Sequence, residues 1–278
     1  MSDEPPRQLT LARLRELGLQ PDRDLGQHFL LDDNVLRVID RLADLRPEDV
    51  VLEVGAGLGV LTAHLAPQVA HVHAIEIDRR LEEALQRSVG GLPNVELQWG
   101  DAARMPLGEL RPEVTAFVAN LPYHVAAPLI LDSIDGLPHC ERWCVLIQRE
   151  VADRLVATPD TPAYGGPSVL RALALEPTGR HLVSRRVFIP QPNVDSTLIA
   201  FRRRDDWPGL AGDWGRIKRT VAASFSHRRK TLPNSLTLAG WAGRPEVEAA
   251  IRAASIDPRL RAEALEPADF VRLARVGP

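Results

Sequence analysis

Between residues 50 and 148, short and nearly continuous apolar runs alternate with longer segments whose apolar positions recur at helical spacing. The runs "VVLEVG", "VHAIEI", "VELQWG", "VTAFVAN" and "RWCVLIQ" are of strand length, and Gly, Asp, Asn or Pro bounds each of them. Between them, "GVLTAHLAPQV", "RRLEEALQRSV" and "VAAPLILDSI" carry apolar residues at helical spacing. Strands with so little polar alternation are buried on both faces, and strand–helix–strand repeats close by right-handed crossovers. The pattern predicts an α/β, doubly wound, mostly parallel sheet covered by helices. After about residue 205 the pattern changes. "DWPGLAGDW" reads as a linker, and the remainder as short helices such as "PEVEAAIRAAS" and "PADFVRLARV", with Pro near their first turns. Two domains are expected, residues 1–205 and a small all-helical one at 206–278.

Ligands of such sheets bind beyond the carboxyl ends of the strands. That rule gathers "GAGLG", Glu76, Asp101 and "NLPY" on one rim. In "LEVGAGLGVLT", glycines let the backbone approach a ligand closely, and the helix that follows offers unpaired N–H groups. A dinucleotide fingerprint would need glycine where Val60 stands. Gly55, Gly57 and Gly59 with Glu53 in front instead resemble the first motif of S-adenosylmethionine-dependent methyltransferases, although tight packing alone also produces such a turn. Glu76 closes the second strand, where an acidic residue accepts hydrogen bonds from ribose hydroxyls. Asp101, in "WGDAA", suits either the amino group of an adenine ring or an ordinary helix cap.

"NLPY", Asn120 to Tyr123, carries the chemistry. An exocyclic adenine amine is a poor nucleophile because its lone pair is delocalised into the ring. Two acceptors on its N–H groups, the Asn120 side-chain oxygen and a backbone carbonyl near Pro122, favour the pyramidal form that can attack a methyl sulfonium. Pro122 fixes the backbone and removes a competing donor, and Tyr123 offers a face on which an extruded base can stack. Asn and Pro are also turn residues; it is the company of the other rim residues that favours the chemical reading.

Composition excludes more than it selects. Over 278 residues, 45% are apolar and 26% charged, as in ordinary globular proteins. No apolar stretch has the length of a bilayer-spanning helix, and "MSDEPPRQLT" is not a basic, then greasy, leader, so a cytoplasmic location is expected. Cys140 and Cys144 make neither a disulfide framework nor a zinc pattern. His64, His71 and His73 bring no metal constellation into view, and no metal is expected. The net charge of −3 hides a segregation: residues 180–230 hold twelve Arg and Lys against four Asp. Within that stretch Arg202, Arg203, Arg219, Arg228, Arg229 and Lys230 are candidate phosphate contacts.

Taken together, the chain resembles the bacterial small-subunit (16S) ribosomal RNA adenine N6,N6-dimethyltransferases over nearly its full length. "LGQHFLLDDNVL" is similar to that family's amino-terminal segment, which closes over the cofactor; Gln27, His28 and Leu30 carry it here. "FIPQPNVDSTLIAF", "FSHRRKTLPNSL" and "RAEALEPADFVRLA" extend the likeness, and the last two match the ribosome-assembly branch rather than the erythromycin-resistance methylases. The resemblance implies a Rossmann-like class I methyltransferase with a mostly parallel seven-stranded sheet, its residues 1–47 covering the cofactor and its helical tail binding RNA. It implies dimethylation of two adjacent adenines in the 3′-terminal hairpin loop of 16S rRNA, in an immature 30S subunit, by a monomer. Asn120, Leu121, Pro122 and Tyr123 would hold the target base. Gly55, Gly57 and the Gln27–Leu30 segment would hold the methionine part of S-adenosylmethionine, Glu76 its ribose, and Asp101 with Ala102 its adenine. Two alternatives stay open: an RNA-binding assembly factor for which methylation is incidental, and a methylase of large-subunit RNA.

Overall fold

The computed structural model describes residues 14, 16, 18, 20–22, 25–30, 32–122, 125–207, 210 and 212–278. Tyr123 lies outside them, as does most of the chain before Leu25. The five apolar runs become strands: β2 (Val50–Val54), β3 (His71–Glu76), β4 (Val95–Trp99), β5 (Ala116–Asn120) and β6 (Arg142–Gln148). β1 is the two-residue strand Phe29–Leu30. Three later strands are β7 (Leu175–Val183), β8 (Phe188–Ile189) and β9 (Ser196–Arg203). The main sheet has seven strands in the order β4-β3-β2-β5-β6-β9-β7, with β2 to β6 parallel and β9 antiparallel to β6.

The central strands are buried up to their carboxyl ends, where Asn120 and Gln148 are partly exposed, which is why they read as unbroken apolar runs. Edge strand β4 is partly exposed along its length and accordingly more polar. Helices of this layer include α1 (Asp33–Ala43), α2 (Val60–Leu65), α3 (Glu82–Val89) and α4 (Ala126–Gly136). Asp32 caps α1 by accepting from the Asn34 N–H. The predicted helix after the glycine turn is shorter than its apolar pattern: Pro67 ends α2 in a single 3₁₀ turn, Ala66–Gln68. Val35, Leu36 and Ile39 of α1 and Leu85 of α3 join the same core as sheet residues Val51, Val72, Val118 and Leu146. Cys140 and Cys144 are buried and unpaired with each other, and burial pushes the Cys144 thiol up to about 12, so it is unreactive.

The chain divides into two compact units. The first holds residues 1–152 and 177–202, the second residues 153–176 and 203–278. The last crossing lies close to the boundary expected at 205, but residues 153–176, expected in the first domain, group with the tail. Aromatic packing is the reason. Tyr164 stands edge-on to Phe225, Phe225 stacks on Phe270, and the Tyr164 hydroxyl donates to the Leu265 carbonyl at 2.8 Å. Around them pack α5 (Trp214–Phe225), α6 (Leu232–Leu238), α7 (Arg244–Ala253) and α8 (Pro267–Val276), the last three with Pro in their first turn. Among the described residues no helix is long and apolar enough to cross a membrane.

At the base of the sheet Asp49 is buried and pairs with the buried Arg142 guanidinium that opens β6. It also accepts from the Thr115 hydroxyl at 2.7 Å and the Arg46 N–H at 2.6 Å. Removing one member of such a pair strands the other charge away from water. Asp49→Ala is expected to destabilise the protein by about 3 kcal/mol, read as a lowered urea midpoint; an unchanged midpoint would show that the pair contributes nothing.

Candidate active site

At the carboxyl edge of the sheet the tips of β2, β3, β4 and β5 open onto one cleft. Every sequence-predicted cofactor residue lines it: Gln27, His28, Leu30, Glu53, Gly55, Gly57, Glu76, Asp101, Ala102 and Asn120, together with Leu121 and Pro122. The glycine turn stands against the β5 tip. Gly55 has φ +82°, and a Cβ there would meet the Asn120 carbonyl oxygen at 3.6 Å and Pro122 Cδ at 3.7 Å. Gly57, at φ +58°, leaves room for the Phe29 ring, which a Cβ would approach to 3.2 Å. The turn's glycines therefore bring the β5 tip and the amino-terminal segment in around the same bend.

Two carboxylates support that bend. Glu76 Oε2 accepts from the Gly57 N–H at 2.8 Å, and Oε1 from the Ile77 and Asp78 N–H groups at 2.9 and 2.8 Å. Burial outweighs these bonds and raises its pKa. Glu53, 1% exposed, accepts from the Thr62 hydroxyl at 2.6 Å. Burial pushes it up to about 8, against the lowering effect of Thr62 and with a smaller raising contribution from Glu76. Asp101 Oδ1 accepts from the Ala103 N–H at 3.0 Å within a turn; no helix starts there, so Asp101 is not the helix cap its sequence also suited, and the residue lines the cleft.

The amino-terminal segment is tied down at several points. β1 pairs antiparallel with β8, Phe29 opposite Ile189 and Leu30 opposite Phe188. His28 Nδ1 lies 2.7 Å from the Pro190 carbonyl oxygen; since a carbonyl only accepts, that nitrogen carries the proton. Gln27 donates through Nε2 to Asp78 Oδ2 at 2.7 Å and accepts from the Asp22 N–H at 2.8 Å. Hydrogen bonds from Arg80 are the main cause of a lowered Asp78 pKa, so Asp78 stays an anionic anchor. Asn120 Nδ2 donates to the His28 carbonyl oxygen at 2.9 Å, joining the amino-terminal segment to the β5 tip.

The family model for ribosomal RNA adenine dimethylase matches residues 19–276. The chain belongs to the ribosomal RNA adenine dimethylase family. Its activity is that of an S-adenosylmethionine-dependent ribosomal RNA adenine N6-dimethyltransferase. It is 44% identical to the ribosomal RNA small subunit methyltransferase A of Thermobifida fusca (strain YX), over 98% of this chain and 97% of that one. With the protein of the same name from Streptomyces coelicolor (strain ATCC BAA-471 / A3(2) / M145) it shares 42%, over 98% of each. A dimethyladenosine transferase from Plasmodium falciparum has the same fold, with a TM-score of 0.74 at 24% identity over 88% of this chain and 96% of the other. The 23S rRNA methyltransferase ErmE superposes with a TM-score of 0.63 at 31% identity, over 89% and 98%.

For an adenine dimethylase, the cleft has a fitting donor set for S-adenosylmethionine: backbone close to the bend, carboxylates at two strand tips and apolar walls. Sequence reading missed part of the wall. Ile77 follows Glu76, lines the cleft and is 49% exposed, a large apolar side chain kept at the rim; the signal was an apolar residue continuing past a strand's acidic end. Phe29 was passed over because its neighbours carried the motif. Of the candidate RNA contacts, Arg202, Arg219, Arg228, Arg229 and Lys230 are exposed. Arg203 lies over the Trp207 ring at 5.3 Å. Arg228 donates to the Pro162 and Tyr164 carbonyls at 3.2 and 2.9 Å, a clamp within the second unit.

The Glu53 pKa has a consequence for stability. Raised in the folded state, it gives a contribution fully present below the unfolded value of 4.5 and lost as pH rises through about 8. Glu53→Gln keeps an acceptor for Thr62 without a titrating group. Its denaturant stability is expected to fall less than the parent's between pH 4.5 and 8; parallel pH curves would show that Glu53 is not the source.

Proposed function

We propose that the protein dimethylates the N6 atoms of two adjacent adenines in the 3′-terminal hairpin loop of 16S ribosomal RNA, within an immature small subunit, as a cytoplasmic monomer. The names of its curated relatives support the small subunit as the source of the RNA. One observation supports the chemistry above the others: the bond from Asn120 Nδ2 to the His28 carbonyl. It fixes the amide's orientation, so that Oδ1 is the atom the side chain offers to the cleft as an acceptor. In this reading Oδ1 takes one N–H of the target amine and the Leu121 carbonyl the other, since the Pro122 carbonyl accepts from Val125 N–H at 3.2 Å.

S-adenosylmethionine supplies, when bound, a methyl group on a sulfonium. Asn120 and Leu121 hold the amine's lone pair out of conjugation and in line for transfer, which is a positioning effect. No strong base is needed, because the amine becomes acidic once alkylated. Tyr123 stacks on the extruded base. Gly55, Gly57 and the Gln27–Leu30 segment hold the methionine part, Glu76 the ribose, and Asp101 with Ala102 the adenine. Residues 206–278, with Arg202, Arg203, Arg219, Arg229 and Lys230, supply the RNA surface; Arg228 stiffens it.

The direct experiment incubates the protein with labelled S-adenosylmethionine and undermethylated small subunits, with isolated large-subunit RNA in parallel. N6,N6-dimethyladenosine is expected in the small-subunit RNA alone; label in the large-subunit RNA alone would refute the proposal. Asn120→Ala is expected to lower turnover by about 100-fold or more, well beyond the weakening of cofactor binding, read by calorimetry, that follows from loss of its bond to His28. Retained turnover would remove its assigned role. Lys230→Ala is expected to weaken RNA binding across sequences and to reduce the slope of log affinity against log salt by about one; an unchanged slope would exclude a phosphate contact.

A further inference from the structure

β3 and β4 carry a second constellation at their amino ends, away from the cleft. His71 and His73 are two apart on β3 and so share a face of the sheet. Glu96 of β4 is the register partner of His73. Glu96 Oε1 is held by Gln98 Nε2 at 2.8 Å, while Oε2 stands 3.2 Å from His73 Nδ1 and 3.7 Å from His71 Nε2. Both nitrogens are buried, and neither has a hydrogen-bond partner among the described residues.

The tautomer of His73 follows from its other nitrogen. Its side chain is 0% exposed, and Nε2 lies 2.9 Å from the Pro112 carbonyl oxygen, which can only accept; Nε2 therefore carries the proton. In the neutral form of the ring that leaves the bare lone pair of Nδ1 aimed at a carboxylate oxygen. Lone pairs converging on an anionic oxygen repel one another unless a cation lies among them.

We propose that His71 Nε2, His73 Nδ1 and Glu96 Oε2 bind a divalent transition-metal ion of the zinc type, with water completing its shell. Two imidazoles and one carboxylate suit zinc, whereas magnesium and calcium take all-oxygen sets. The donor atoms lie within 4.8 Å of one another. Bonds of about 2.1 Å in tetrahedral geometry place donors roughly 3.4 Å apart; Glu96 Oε2 already stands near that spacing from both nitrogens, and a small turn of the His71 ring, whose side chain is 20% exposed against 0% for His73, brings the two imidazoles together. The Pro112 carbonyl on His73 and Gln98 on Glu96 are the outer hydrogen bonds that orient such ligands. The ion would join edge strand β4 to β3 and leave the cleft untouched.

The test uses the untagged full chain, stripped with a chelator and titrated with Co²⁺ and then Zn²⁺. Visible absorption of nitrogen-ligated Co²⁺ is expected at one ion per chain, displaced by Zn²⁺, with an unfolding temperature that rises with Zn²⁺ concentration. His73→Gln and Glu96→Gln are expected to abolish both effects, and Gln98→Ala to weaken binding by about tenfold. His64→Gln, whose ring pairs with Asp40, leaves binding unchanged. Cofactor binding by calorimetry reports whether each variant is folded; should His73→Gln not fold, the half-exposed Glu96→Gln decides. Absent Co²⁺ bands in the parent chain, or bands that persist in Glu96→Gln, would overturn the proposal and leave a proton shared between His73 and Glu96 as the bridging cation.

Discussion

The cleft depends on one hydrogen bond more than on any other, that from the Asn120 amide to the His28 carbonyl, between residues 92 positions apart. It fixes which end of a symmetric-looking amide is a donor, and it seats the segment around His28. An amide left to rotate would present N–H₂ and oxygen interchangeably, and a site for an amine needs only the oxygen. The surrounding contacts keep this bond in place. The pairing of β1 with β8, the Phe29 ring against Gly57 and the Gln27–Asp78 bond all hold residues 27–30 at the strand tips. Loss of any of them loosens the carbonyl that Asn120 depends on.

Beneath that arrangement lies a concentration of carboxylates that would be costly elsewhere. Glu53 and Glu76 are both buried near one another, and each is favoured in its protonated form relative to water. Nearby donors make this tolerable: the bend gives Glu76 the Gly57 N–H, the turn after β3 gives it those of Ile77 and Asp78, and Thr62 of α2 donates to Glu53. Satisfied acceptors hold the turn rigid, and a rigid turn keeps Gly55 against Asn120 and Pro122.

The central strands and the rim were legible because a parallel sheet buried on both faces writes each strand as an apolar run, and every run here is punctuated where it ends. β7 was not, since "LEPTGRHLV" is mostly exposed and shows neither period. β1 and β8, at two residues each, are too short for any periodicity. Residues 153–176 join the tail through Tyr164, Phe225 and Phe270, contacts that no composition shift announces. His71 and His73 were noticed as histidines, but Glu96 belongs to them only through strand register. Arg228 belonged, by sequence, to a basic run; its clamp on residues 162 and 164 depends on tertiary placement alone. In each case the missing information is which distant backbone lies alongside.

The proposed roles at the β5 tip also bear on base selection. A pocket edge offering only acceptors, the Asn120 oxygen and a peptide carbonyl, suits adenine because its exocyclic amine presents two donors. A base with a keto oxygen at that position would set lone pairs against lone pairs, and buried acceptors left unpaired cost on the order of 1–3 kcal/mol each. After one methyl transfer the amine keeps a single N–H, so one acceptor suffices for the second. A site that worked through a strong base would have to remove a proton at each round, whereas one that works by placing acceptors can act on the amine and on its monomethyl product with the same atoms.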